Sequence, residues 1–182
     1  MGGWVVMDYL EHFSDVSLAG IGLIGSSITT GKNLPPSAEA VRNNPPAKAI
    51  GMYSDDLAKN LAAVLAFVDV CFYQQPDVET KAKIVGYNML VPPQVRAASR
   101  LRQEDRRSVA QVSEKPCWIA WGEYEQLAPA EMGEQALKHF PNSKRKVFQQ
   151  SGHSPFWEEA DKFNIELTAF ADSCFSKLTE AA

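Results

Sequence analysis

The chain has 182 residues, 45% of them apolar and 22% charged, with a net charge of −4. That length and balance fit one core-forming globular domain, with or without a subdomain, and exclude a disordered or fibrous chain. An acidic chain lacks the concentrated basic face that phosphate binding needs, so nucleic acid is not an expected partner.

The one basic cluster, Arg96, Arg100, Arg102, Arg106 and Arg107, is interleaved with Glu104 and Asp105, and reads as a solvated helix face. No apolar run reaches the roughly 18 residues of a membrane span. The N-terminus has neither a basic leader nor a cleavage site, so no signal peptide is expected. Cys71, Cys117 and Cys174 are widely spaced and form no C-x-x-C. This pattern suggests neither a disulfide framework nor a zinc site, and it predicts a reducing, cytoplasmic setting. No metal and no cofactor are expected. The thiols read as buried and structural, not nucleophilic.

In chain order, Trp4, Val5, Met7, Tyr9, Leu10 and Phe13 give a helical pattern that starts at Gly2-Gly3, with no capping residue before it. Glycines at a helix start point to close backbone approach by a neighbour. Leu18–Gly25 is short, apolar and Gly-rich, as a strand buried on both faces would be. Ser26 and Ser27 follow it, but not in G-x-S-x-G spacing.

The segment from about Thr29 to Ser113 changes character. Pro35-Pro36 and Asn43-Asn44-Pro45-Pro46 mark loops. Ser54 or Asp55 can cap a helix that runs to about Val70, with Leu57, Leu61, Val64, Leu65 and Val68 on one stripe. Pro76-Asp77-Val78-Glu79 starts a second helix, and Pro93 to Gln103 forms a third, with Val95, Ala98 and Leu101 apolar. This middle third is helical, as an inserted lid would be. Met52, Tyr53, Phe67, Phe72, Tyr73 and Met89 are its candidate pocket or core residues.

Lys115–Gly122 is the next buried strand, and Glu123–Leu127 is the loop after it. A helix from Ala128-Pro129 to about Phe140 carries Met132, Ala136 and Leu137 inward. The strand Arg145–Gln149 then leads into Ser151-Gly152-His153-Ser154-Pro155-Phe156. A final helix from about Phe156 to Phe175 buries Phe163, Ile165, Leu167, Phe170 and Phe175. Strands alternating with helices predict an α/β fold: three parallel strands with helices on both faces and a helical insertion. The expected parts are 1–28 as core helix and strand, 29–113 as lid, and 114–182 as core with the acid and histidine loops.

His153 sits on a tight turn between a strand and a helix, a placement that leaves an imidazole free to act as a general base. Glu125 follows the preceding strand, so parallel pairing brings both to one sheet edge. A carboxylate that accepts the imidazole Nδ1–H fixes the tautomer a general base needs. Glu123 competes for that role but lies directly after Gly122.

The segment Pro116 to Glu125 resembles the seventh strand and acid loop of the α/β-hydrolase family. Ser151–Phe156 resembles its histidine turn, and Val91-Pro92-Pro93-Gln94-Val95-Arg96 resembles the end of a lid in its small esterase and perhydrolase-like members. The resemblance covers most of the chain outside the lid, from the sixth to the eighth strand. It implies a Ser-Glu-His triad acting on a small apolar ester or related acyl substrate. Two departures stand out. Glu125 occupies a position that is usually Asp. Met1-Gly2-Gly3 aligns with the residues after the nucleophile in G-x-S-x-G-G, so the nucleophilic Ser and the first five strands are expected before Met1. In that alignment the Met1 amide is an oxyanion donor. The alternative is a non-catalytic fragment or pseudoenzyme that pairs with another chain through the edge strand Leu18–Gly25.

Overall fold

The computed structural model describes residues 2–38 and 51–180, with side chains to residue 176. Its elements are α1 (Gly2–Phe13), β1 (Ile21–Ile24), a single 3₁₀ turn (Gly31–Asn33), α2 (Leu57–Val70), α3 (Val78–Met89), α4 (Pro93–Arg100) and α5 (Arg107–Gln111). They continue with β2 (Cys117–Gly122), α6 (Ala130–His139), β3 (Ser143–Phe148), α7 (Pro155–Glu158) and α8 (Ala160–Glu180).

The three strands form one parallel sheet in the order β1-β2-β3. Ile21 is in register with Cys117, which in turn pairs with Ser143. β2 is central and buried along its whole length, which explains its unbroken apolar run. Its side chains alternate between two cores, as strand geometry demands. Cys117, Ile119 and Trp121 join Met7 and Leu10 of α1, Ala110 of α5, and Ala136 of α6. Trp118 and Ala120 meet Phe148, Phe163 and Phe170 on the face covered by α8.

α2 and α3 carry a separate small core of Val64, Val68, Cys71, Phe72 and Val85, with Met52, Phe67 and Met89 packed against it. Four of the six middle-segment pocket candidates therefore belong to this core. Tyr73 instead stacks on Tyr124 at 3.7 Å between ring centroids.

Several sequence expectations shift. β1 is shorter than Leu18–Gly25, and it is not buried on both faces: Ile21 and Leu23 are buried, Gly22 is exposed and Ile24 is half-buried. It pairs only with β2, so it forms an edge of the described sheet. β3 starts two residues earlier than expected and stops at Phe148, and α6 begins at Ala130 after Pro129. Gly3 does meet a neighbour, since a Cβ there would lie 2.7 Å from the Ser27 carbonyl oxygen, whereas Gly2 faces open space. On α1, Val5 and Phe13 are exposed.

The α2 stripe is rotated. Leu57, Leu61 and Leu65 face solvent, and Asn60, Ala63, Val64 and Val68 face inward. The cause is Asn60, whose Nδ2 donates to the carbonyls of Met52 and Ser54 and draws its own face inward. The cap of α2 is Asp56, not Ser54 or Asp55; its Oδ1 accepts from the amides of Ala58 and Lys59. The third middle helix stops at Arg100, with Val95 and Leu101 exposed, and α5 was not anticipated. The basic cluster is not a plain solvated face: Arg106 is mostly buried and pairs with Asp8, Glu11 and Glu104, tying the loop before α5 to α1.

The final helix is two helices. Glu159 leaves the helical region between α7 and α8, and its carboxylate turns back to accept from the Gln150 amide and the Ser151 hydroxyl. Ile165, Leu167 and Phe175 consequently lie on the exposed side of α8. Among the described residues no helix is long and apolar enough to cross a membrane.

Candidate active site

The carboxyl ends of β1, β2 and β3 meet at His153, the edge where ligands bind in open α/β sheets. β2 delivers the acid loop. The Trp121 indole donates to the Ala128 carbonyl at 3.0 Å, which folds residues 123–128 back over the strand end. The Glu123 amide bonds the Phe148 carbonyl, and the Tyr124 amide bonds the Ser151 carbonyl. The acid loop and the histidine turn are thus laced together through their backbones. Gly122 is required where they cross: a Cβ there would lie 2.0 Å from the Gly152 carbonyl oxygen.

Glu125 Oε2 lies 2.6 Å from His153 Nδ1. Glu125 Oε1 accepts from the amides of Leu127 and Ala128, at 2.7 and 3.1 Å. The Glu125 side chain is 3% exposed and that of His153 33%. An ionised carboxylate only accepts, so Nδ1 carries the proton and Nε2 is left as the basic nitrogen. Both carboxylate oxygens are engaged, and they hold the ring in one orientation. Glu123, the competing acid, is exposed.

Gly25 closes the site from β1. It has φ +51°, and a Cβ there would stand 2.8 Å from His153 Cε1 and 3.2 Å from Glu125 Oε2. A side chain is excluded on both counts: the left-handed backbone disfavours it, and the imidazole fills its space. Ser26 and Ser27 are turned away, with hydroxyls that donate to the carbonyls of Ile24 and Thr29. The cysteines are all free and buried. Burial, helped by Glu125 and Glu158, pushes the Cys71 thiol up to about 12, and burial alone raises Cys117 to about 12. Neither presents a thiolate near neutral pH.

Two further carboxylates shape the histidine turn and escaped the sequence reading. Glu158 Oε1 accepts from the amides of Tyr73 and Gln74, both at 2.7 Å, and its Oε2 accepts from Gly152 at 2.8 Å. It thereby fastens the end of α2 to the turn, beside the His153 amide, which donates to the Cys71 carbonyl. Burial raises the Glu159 carboxyl, but hydrogen bonds from Ser151, Lys162 and the Gln150 amide outweigh it and hold the group below its ordinary value. Their only trace in the sequence is a Glu pair four and five residues past a strand-following turn, which also describes an ordinary helix start. Met1 lies outside the described residues. Among the described residues no group of three His, Cys, Asp or Glu could hold a metal.

A parallel sheet with helices on both faces and a carboxylate-buttressed histidine at its carboxyl edge is matched by a family model. Residues 1–160 match the model described as the alpha/beta hydrolase fold. The chain belongs to the α/β-hydrolase fold family. A curated relative, a 2-hydroxy-6-oxononadienedioate/2-hydroxy-6-oxononatrienedioate hydrolase from a Pseudomonas species, is 28% identical over 176 residues. That match covers 90% of this chain and 58% of the relative. Among solved structures, an esterase from Rhodococcus sp. ECU1013 superposes with a TM-score of 0.81 at 22% identity, over 94% of this chain and 62% of the esterase. A bromoperoxidase from Bacillus anthracis superposes with a TM-score of 0.74 at 17% identity, over 94% and 64% of the two chains. These structural likenesses speak for the α/β-hydrolase fold. The chain spans about three fifths of the length of these relatives.

Proposed function

We propose that this α/β-hydrolase chain carries the acid–base half of an acyl hydrolase. His153 is the general base, Glu125 its orienting acid, and a small apolar ester or related acyl compound the substrate. The observation that carries the reading is the 2.6 Å contact between His153 Nδ1 and a Glu125 carboxylate that is buried and bonded at both oxygens.

In this reading a serine supplied by residues before Met1 attacks the acyl carbon while His153 Nε2 takes its proton. The same nitrogen returns the proton to the leaving alcohol, and water then repeats the cycle on the acyl-enzyme. The Met1 amide serves as an oxyanion donor, and the helices between residues 29 and 113 serve as a lid. The lengthening from Asp to Glu is taken up by the Leu127 and Ala128 amides, which hold the longer side chain back against its own loop.

The test has two parts. In this chain, proton NMR should resolve a strongly downfield His153 Nδ1–H that disappears in Glu125→Gln. In a protein that also carries the upstream serine, the same substitution should slow ester turnover by roughly a hundredfold or more. Unchanged turnover moves the acid role elsewhere. This chain alone should hydrolyse chromogenic esters negligibly, and fluorophosphonate-sensitive turnover would overturn that expectation.

A second reading, a non-catalytic interaction module, is favoured by one observation: β1 pairs on one side only among the described residues. Light scattering separates the two readings. A stable dimer lost on placing Pro at Leu23 supports the module, and a monomer removes it.

A further inference from the structure

A cleft of about 480 Å³ lies between the start of α1 and helices α2 to α4, and the acyl chemistry leaves its composition unexplained. Its wall is apolar and aromatic, with Trp4, Leu34, Met52, Tyr53, Phe67 and Val95. Arg96, Arg100 and Arg102 also line it, and no carboxylate among the described residues does.

Two of these cations are accounted for. Arg102 pairs with Glu104 and Asp8 and lies 5.4 Å from the centre of the Trp4 ring. Arg100 lies over the Tyr53 ring at 5.5 Å and donates to its hydroxyl. Arg96 differs. It forms no ion pair among the described residues, and one Nη donates to the Asn88 carbonyl at the end of α3. Its Nε is buried with no hydrogen-bond partner among the described residues. Burial pushes the guanidinium below its ordinary value, against an opposing effect of Tyr53. A sealed cationic donor without an acceptor is costly, and native structures keep few of them without a role.

We propose that this cleft binds a small carboxylate with an apolar body. Its head pairs with the Arg96 guanidinium, and its body lies on the wall of Trp4, Tyr53 and Phe67. The planar fork of a guanidinium matches a carboxylate in shape and charge. A short run of packed backbone separates the cleft from His153: Gly3, beside Trp4, abuts Ser26, and Gly25, beside Ser26, abuts the imidazole. Resting on the acyl-hydrolase reading, the substrate then carries a carboxylate remote from the bond that is cleaved, as a half-ester of a dicarboxylic acid does.

Calorimetric titration of this chain with phenylacetate, phenylacetamide and inorganic phosphate tests the site without turnover. Phenylacetate should bind roughly tenfold or more tightly than the neutral amide. Arg96→Gln should erase that difference, and Arg96→Lys should keep part of it. Equal binding of acid and amide, a preference that survives R96Q, or phosphate competing as well as phenylacetate overturns the proposal. If R96Q does not fold, the Trp4 indole and Asn88 amide resonances of the unaltered chain decide. Movement with phenylacetate supports the site, and no movement overturns it. The His153 ring proton, followed in the same samples, reports the acid–base pair separately. A missing carboxylate preference with that proton present therefore removes the subsite and leaves the pair standing.

Discussion

In the sheet, β2 buries all 6 of its residues, whereas in α2 to α4 Leu57, Leu61, Leu65, Leu90 and Val95 face solvent. The strand part of the molecule is held by close packing on two faces. The helical part has a small core of its own, against which Leu127 of the acid loop packs, and Tyr73 stacks on Tyr124 of that loop. Its fastening to the histidine turn is polar and aimed at backbone: the Cys71 carbonyl takes the His153 amide, the Gln74 side chain donates to the Gln150 carbonyl, and Glu158 takes three amides. The arrangement teaches a division of labour. Packing fixes the strands from which the acid and histidine loops spring, and hydrogen bonds fix Glu125 and His153 within those loops and tie the helical part to the turn.

The sharpest test of this contrast compares one core truncation in each part. Phe148→Ala removes a fully buried ring at the junction of β3 and α8 and should cost about 3–5 kcal/mol. Val64→Ala, in the α2–α3 core, should cost about 2 kcal/mol. Denaturant unfolding measures both, and a larger loss at Val64 would reverse the ranking of the two parts. An effect close to that at Val64 is expected at the fastening. Glu158→Gln keeps an acceptor oxygen but loses charge assistance and one of two acceptor sites, and should cost about 1–3 kcal/mol. Hydrogen exchange should then speed up at the Tyr73, Gln74 and Gly152 amides while those of β2 stay protected. Uniform acceleration would mean that the two parts unfold as one unit.

The smallest effect concerns pH. Glu159 has a depressed folded value, so its stabilisation is fully present above its ordinary value of 4.5 and is lost as pH falls through the folded one. Stability of the unaltered chain should decline in that acidic window, and Glu159→Gln should flatten the decline. An unaltered slope in the variant would place the acid sensitivity on other carboxylates.

The acid and histidine loops were readable as a pair because each rests on local chemistry: a strand, a tight turn and a polar residue that the fold carries to one edge. The 3.6 periodicity located the helices but not always their inward faces. On α2 it counted leucines, while Asn60 decided the rotation through two backbone carbonyls that no pattern reveals. The same applies to α8, where Glu159 breaks the helix to serve the histidine turn, and Ile165, Leu167 and Phe175 end on the open side.

What the residues settled unaided was the alternation of strands and helices and the burial of β2, which follow from short-range patterning along the chain. The meeting of Glu125 and His153 was an expectation that needed the parallel pairing of their strands and the family resemblance as well. Folding alone could settle the long-range matters: Gly25 beneath the imidazole, Glu158 bridging α2 to the turn, Arg106 clamped to α1, and Arg96 without a countercharge among the described residues beside an aromatic wall. These depend on groups tens of residues apart meeting at one point, and the spacing of residues in sequence carries no record of which distant partner a polar group will find.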